Sequence, residues 1–226
     1  SKANQKAARE CWSFARTRLS QTNPLPAIDL GRAIVPCQDA YLEITKQGIR
    51  AMAPDPELGM SHALNITSGA KLGHAYVPKP LPESSKLHKF LSRALPDPEV
   101  RALVQEQCGM TLLPNNYQMA TWWFGVPGSG KSTLAEAVEL MQKQVARLNL
   151  QTLGNTFALE GIIGANLILV DENECEKYQE GTFKSLVSGN GVSINRKNLS
   201  VINYHSRAKW LLTSNQSPYF RDRSGG

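Results

Sequence analysis

Apolar residues recur at Ala7, Ala8, Cys11, Trp12, Ala15 and Leu19 with charged positions between them, which is helical spacing. The pattern predicts an amphipathic helix over residues 2–20, stopped by Asn23-Pro24 and Pro26. From Ile34 to about Ala53 the apolar residues come in short runs, Ile34-Val35, then Tyr41, Leu42 and Ile44, then Ile49, and Gly48 predicts a turn between strands. Between Ala53 and Glu83 the prolines and glycines follow no period, so an extended connection over the surface is expected. Helical periodicity returns in Ser84 to Leu95 (Leu87, Phe90, Leu91) and Asp97 to Cys108 (Val100, Leu103, Val104). Ser and Asp near their starts are cap candidates and Gly109 is a stop.

Beyond residue 116 the pattern changes. Met119 to Phe124, Leu167 to Val170 and Trp210 to Thr213 are short runs without alternation, as expected for strands buried on both faces of a sheet. After the first run, Leu134, Val138, Met141, Val145 and Leu148 fit one face of a helix. The expected organisation is a mainly helical N-terminal domain with a short β segment over 1–115, accessory or oligomerising, and an α/β domain over 116–226.

Composition narrows the class without deciding it. Apolar residues make up 41% and charged residues 19%, a globular balance that argues against disorder and fibres. Lys and Arg outnumber Asp and Glu by 25 to 19, a mild excess that suits a polyanionic partner. Cys11, Cys37, Cys108 and Cys175 are not paired at metal-ligand spacing, so free thiols and no zinc site are expected. No run reaches the length of a membrane span and no secretory leader is visible, so no membrane partner and a cytoplasmic location are expected.

The chemistry concentrates in Gly125-Val126-Pro127-Gly128-Ser129-Gly130-Lys131-Ser132-Thr133. A strand enters this loop and a helix leaves it, the context of a P-loop. Glycines let backbone N–H groups converge on phosphate oxygens, Lys131 reaches the β- and γ-phosphates, and Ser132 is a Mg²⁺ ligand. The expected cofactors are ATP and Mg²⁺. Forty residues after Lys131, Asp171 and Glu172 end a buried run, the place for a carboxylate that holds Mg²⁺ and a general base that polarises water. Asn215 ends the third run; it either senses the γ-phosphate or opens the turn Asn215-Gln-Ser-Pro218. Phe183 to Asn198 reads as a helix end and a β-hairpin with a charged tip. Lys184, Arg196 and Lys197 are its candidate contacts to nucleic-acid phosphates, against the plainer reading of a solvated tip.

The order of these segments, Gly125–Thr133, Leu167–Glu172, Phe183–Asn198 and Trp210–Asn215, resembles superfamily 3 helicases, most closely the phage and plasmid primase-helicase branch related to poxvirus primase-helicases. The resemblance implies an AAA+-like P-loop core assembled as a ring, commonly a hexamer, that hydrolyses ATP at subunit interfaces while moving on single-stranded DNA. It implies a DNA-contact role for Lys184, Arg196 and Lys197. It also implies an arginine finger just beyond Phe220 to Gly226, so the chain is expected to be a fragment with weak hydrolysis; Arg221 and Arg223 are the nearby candidates. Two other readings of the P-loop remain: a small-molecule kinase, disfavoured by the lack of an Arg-rich lid, and a non-catalytic, nucleotide-dependent DNA-binding or loader protein.

Overall fold

The computed structural model describes residues 5, 7, 8, 10–12, 14, 15, 27–60, 62–171 and 178–217. The described residues between 5 and 15 are helical, as the spacing predicts, but Trp12 and Phe14 stand exposed.

Four antiparallel strands follow in the order β1 (Ala33–Pro36), β2 (Tyr41–Thr45), β3 (Gly48–Met52) and β4 (Ala75–Tyr76). Alternation gives each strand two faces. Ile34 packs with Tyr41 and Leu58 on one side, while Val35, Leu42, Ala51 and Leu64 pack on the other. The stretch expected to lie over the surface therefore supplies β4 and two buried leucines. Asp39 closes it onto the sheet by accepting from the backbone of Ser68 and Gly69 at 2.8 and 2.7 Å. Those backbone donors hold the Asp39 carboxyl below its ordinary range.

Helices α1 (Lys86–Ala94) and α2 (Pro98–Met110) then form where the caps predict. The Ser85 hydroxyl accepts from His88 N–H at 3.1 Å, and Asp97 accepts from Glu99 N–H at 2.8 Å with Pro98 in the first turn. The helix α2 is fixed to the second half of the chain by Trp123, whose indole N–H donates to Gln107 Oε1 at 2.8 Å.

The second half is a parallel sheet in the order β5 (Ala120–Phe124), β10 (Lys209–Ser214), β7 (Leu167–Val170) and β6 (Val145–Arg147). It is α/β, as the apolar runs imply. Ile168 and Val170 of β7, with Trp210 and Leu212 of β10, meet Phe183, Leu186, Leu150 and Ile162 on one face. Leu167, Leu169 and Leu211 meet Ala135 and Val138 on the other. Two-sided burial of the central strands explains why their sequences lack alternation.

Two expectations fail here. Helix α3 spans Lys131–Leu140 only, so Val145 lies in the edge strand β6 and Leu148 just past it. Three apolar positions fit a helical period as well as a short strand, and periodicity alone does not separate them. The run expected at 119–124 is also not buried throughout: β5 is the other edge, and Phe124 is 58% exposed. After β7, helix α4 (Glu180–Ser188) leads to the hairpin of β8 (Gly191–Arg196) and β9 (Leu199–His205), and β10 then inserts between β5 and β7.

Candidate functional site

Strand β5 delivers the chain into the P-loop at the C-terminal edge of the sheet, and α3 begins directly at Lys131. The turn needs left-handed backbone at Gly128 (φ +74°) and Gly130 (φ +92°), which glycine adopts without a Cβ penalty. Gly130 has a second reason: a Cβ there would lie 3.0 Å from the ring of Phe90 on α1. The N–H groups of Lys131, Ser132 and Thr133 belong to the first turn of α3 and have no intrahelical acceptor. They and the loop line a concavity of about 220 Å³ that is closed by Thr213, Ser214 and Asn215. Its positive helix end suits a phosphate.

Lys131 is held at the centre of this concavity. Its ammonium donates to Gly125 O at 2.9 Å, Val126 O at 3.0 Å, Ser129 Oγ at 3.2 Å and Asn215 Oδ1 at 3.4 Å. Asn215 therefore faces the P-loop lysine from the end of β10. Asp171 follows β7, and its Oδ1 accepts from Ser132 Oγ at 3.0 Å and from Thr213 Oγ1 at 2.6 Å. Because β10 separates β5 from β7, the hydroxyl of Thr213 bridges the P-loop side and the acidic side.

Beyond Asp171, Arg147 ends β6 and pairs with Glu139 of α3. That hydrogen bond, with the nearby charges of Asp171 and Glu136, raises the Arg147 pKa. Thr213, Ser214 and Arg147 are site residues to which the motifs assign no role. The polar ending of an otherwise apolar strand is the sequence signal for Thr213 and Ser214, and Arg147 has none. Trp122 Nε1 donates to Ser214 Oγ at 2.9 Å, and Ser214 Oγ donates to Gln216 O at 2.6 Å, which fixes the backbone leading into Asn215.

The structure thus brings together Gly125 to Thr133, Asp171 and Asn215. Glu172, Arg221 and Arg223 lie outside the described residues. Lys184, Arg196 and Lys197 belong to the hairpin region. Lys184 is exposed on α4, and Lys197 is exposed in the turn with Asn198, which takes left-handed backbone at φ +60°. Arg196 braces that turn, its Nε and Nη2 donating to Ser200 O at 3.1 and 3.0 Å.

Residues 123–225 match DUF5906, a family of unknown function. Among solved structures, the chain is similar to the apo C-terminal region of NrS-1 at 12% identity and a TM-score of 0.49, covering 82% of this chain and 54% of that one. It is similar to the JCV helicase at 17% identity and a TM-score of 0.41, covering 61% of this chain and 42% of that one. Similarity to a full-length MCM homolog from Methanopyrus kandleri is 13% identity at a TM-score of 0.32, covering 83% and 49%. The chain spans about half the length of these solved chains. No curated protein matches it. The resemblance to superfamily 3 helicases rests on the order of the motifs in the sequence. No helix among the described residues is long and apolar enough to cross a membrane.

Proposed function

We propose that this chain is the motor portion of a phage- or plasmid-type replication helicase, which hydrolyses ATP at subunit interfaces of a ring while moving on single-stranded DNA. The observation that carries this reading is the convergence of Lys131, Ser132, Thr213 and Asn215 on one concavity at a helix N-terminus, with Asp171 accepting from both Ser132 and Thr213 behind it. On this reading, residues 116–226 form the ATPase core, and residues 1–115 form an accessory domain.

The residues present fit Mg²⁺: a hydroxyl and a carboxylate 3.0 Å apart offer the few hard oxygens that this ion takes beside nucleotide phosphates. Ser132 and Asp171 would hold it, and when bound it supplies neutralisation of the developing phosphate charge. Lys131 moves from the carbonyls of Gly125 and Val126 to the β- and γ-phosphates, and the first-turn amides of α3 hold the remaining oxygens. Thr213 orients Asp171 by donating to it. Asn215 reports the γ-phosphate and positions the attacking water, whose proton Glu172 accepts.

Coupling to DNA follows the chain path. Asn215 directly follows one end of strand β10, and the other end follows the hairpin strand β9 after residues 206–208. A shift at Asn215 is therefore transmitted along one buried strand to the base of the hairpin. Lys184, Arg196 and Lys197 are the DNA contacts, and Arg221 or Arg223 reaches a neighbouring subunit's nucleotide.

Separate titrations with labelled ATP and oligothymidylate test this division. Lys131→Ala abolishes nucleotide binding and leaves DNA binding to the hairpin. The double variant Arg196→Ala/Lys197→Ala keeps nucleotide affinity but weakens DNA binding and lowers the salt slope by about 1 to 2. Loss of both activities in a folded hairpin variant would refute the assignment.

A further inference from the structure

A second concavity, larger than the one at the P-loop, is lined by other described residues. It lies at the opposite end of the parallel sheet, where β7 and β10 begin, and has a volume of about 380 Å³. Met60, His62, Leu64, Leu112, Asn166 and Lys209 line it, together with the exposed residues His205 and Arg207. The size is that of a small-molecule site.

Its charge is one-sided. Arg207 and Lys209 line it beside the imidazoles of His62 and His205, and among the described residues no carboxylate does. The Lys209 ammonium has three donors, and among the described residues it makes only a 3.5 Å approach to Arg207 O. An ammonium withdrawn from water without an anion is costly, and burial together with the Arg207 charge pulls the Lys209 pKa down to about 8.

The surroundings hold this lysine in place. Lys209 N–H donates to Asn166 O at 2.9 Å, and Asn166 Oδ1 accepts from Gln144 N–H at 3.2 Å. The Asn166 amide nitrogen reaches His62 Nε2 at 2.6 Å, so the imidazole accepts there; burial and Lys209 both favour its neutral form. A second observation is independent of charge. Gln142, on the wall and 3% exposed, donates through Nε2 to Thr111, and its Oε1 finds no donor among the described residues. The site therefore offers cations for an anion and a buried acceptor for a donor on the same ligand.

We propose that this cleft is a second nucleotide site, in which Lys209 and Arg207 take the phosphate, the wall of Met60, Leu64 and Leu112 takes the nucleoside, and Gln142 accepts from its amino or hydroxyl group. The ligand is either a free nucleotide or one unit of a nucleic-acid strand, since both present a phosphate and a nucleoside. Either would touch His205 and Lys209, the segment that joins the hairpin to the strand bearing Asn215.

The test uses the full chain carrying Lys131→Ala, so that the P-loop does not report. Adenosine 5′-monophosphate, inorganic phosphate and an oligothymidylate without terminal phosphate are titrated by calorimetry. Adenosine monophosphate binds more tightly than phosphate, and adding Lys209→Met weakens it by about tenfold to a hundredfold, the range for one charged hydrogen bond. Arg207→Gln weakens it less. Near the Lys209 pKa, binding takes up a proton, so the measured enthalpy changes with the ionisation enthalpy of the buffer. This readout needs no change at Lys209 and stands even if Lys209→Met fails to fold. Displacement by oligothymidylate supports the site and assigns a strand as the source; no displacement supports it and assigns a free nucleotide. Absence of binding, binding unchanged by a folded Lys209→Met, or no proton uptake would overturn the proposal. With Lys131 intact, ATP binding at the P-loop is a separate measurement that Lys209→Met leaves unchanged, so the two sites fail independently.

Discussion

Substituting Gly130 by alanine probes how the N-terminal half supports the P-loop. Two costs arise there. An alanine at φ +92° incurs about 1–2 kcal/mol of left-handed strain. Its Cβ would also sit 3.0 Å from two ring atoms of Phe90 and 3.4 Å from Ala94 Cβ, so α1 must give way, at about 1 kcal/mol more. The total of about 2–3 kcal/mol corresponds to a drop of about 1 M in the urea midpoint for an m-value of about 2–3 kcal/mol/M. Phe90→Ala removes the steric part and leaves the backbone part. In a double-mutant cycle, Gly130→Ala therefore costs about 1 kcal/mol less when Phe90 is already alanine. Urea unfolding followed by tryptophan fluorescence reads all four proteins. Equal cost in both backgrounds would show that α1 does not press on the P-loop, and an unchanged midpoint for Gly130→Ala would remove the strain as well.

Other expectations concern the acid, the thiols and a surface pair. Asp171→Asn keeps a side chain that can accept from Thr213 and Ser132, so its melting temperature changes little, while calorimetry shows nucleotide affinity losing its dependence on Mg²⁺. Burial raises the Cys108 thiol to about 11 and also raises Cys37, so near pH 8 both react slowly with iodoacetamide while exposed Cys11 reacts quickly, as read by peptide mass mapping. The Arg32 hydrogen bond at 2.7 Å lowers the Glu43 pKa. A carboxylate with a depressed folded pKa contributes stability above its unfolded value and loses it as pH falls through the folded one. Glu43→Gln therefore costs under about 1 kcal/mol near neutrality and nothing once the pH is below both values, as urea unfolding at the two extremes would show.

The sequence disclosed most of the site because its parts are local. A glycine loop between strand and helix, and an acid ending a run of buried aliphatics, each fit within about ten residues. What stayed hidden depends on distant pairings. Thr213 meets Asp171 across 42 positions, and only the insertion of β10 between β5 and β7 brings them together. Phe90 reaches Gly130 from α1, which shows periodicity in the sequence but no partner. Val145 fits a helical period with Met141 and Leu148 as well as it fits a strand, whereas the register against Leu167 makes it a strand. The N-terminal sheet reads in the sequence as only a short β segment because β4 has two residues and lies within a proline-rich run. The partner of Asn215 is likewise distant in sequence: the Asn215 Oδ1 lies 3.4 Å from the Lys131 ammonium.

The measurement closest to the central claim is the rate of ATP hydrolysis with and without single-stranded DNA, for the chain and for Lys131→Ala. The rate is expected to rise on adding DNA and to fall to background in the variant. Hydrolysis that survives the loss of Lys131, or phosphoryl transfer to added nucleosides with no response to DNA, would contradict it.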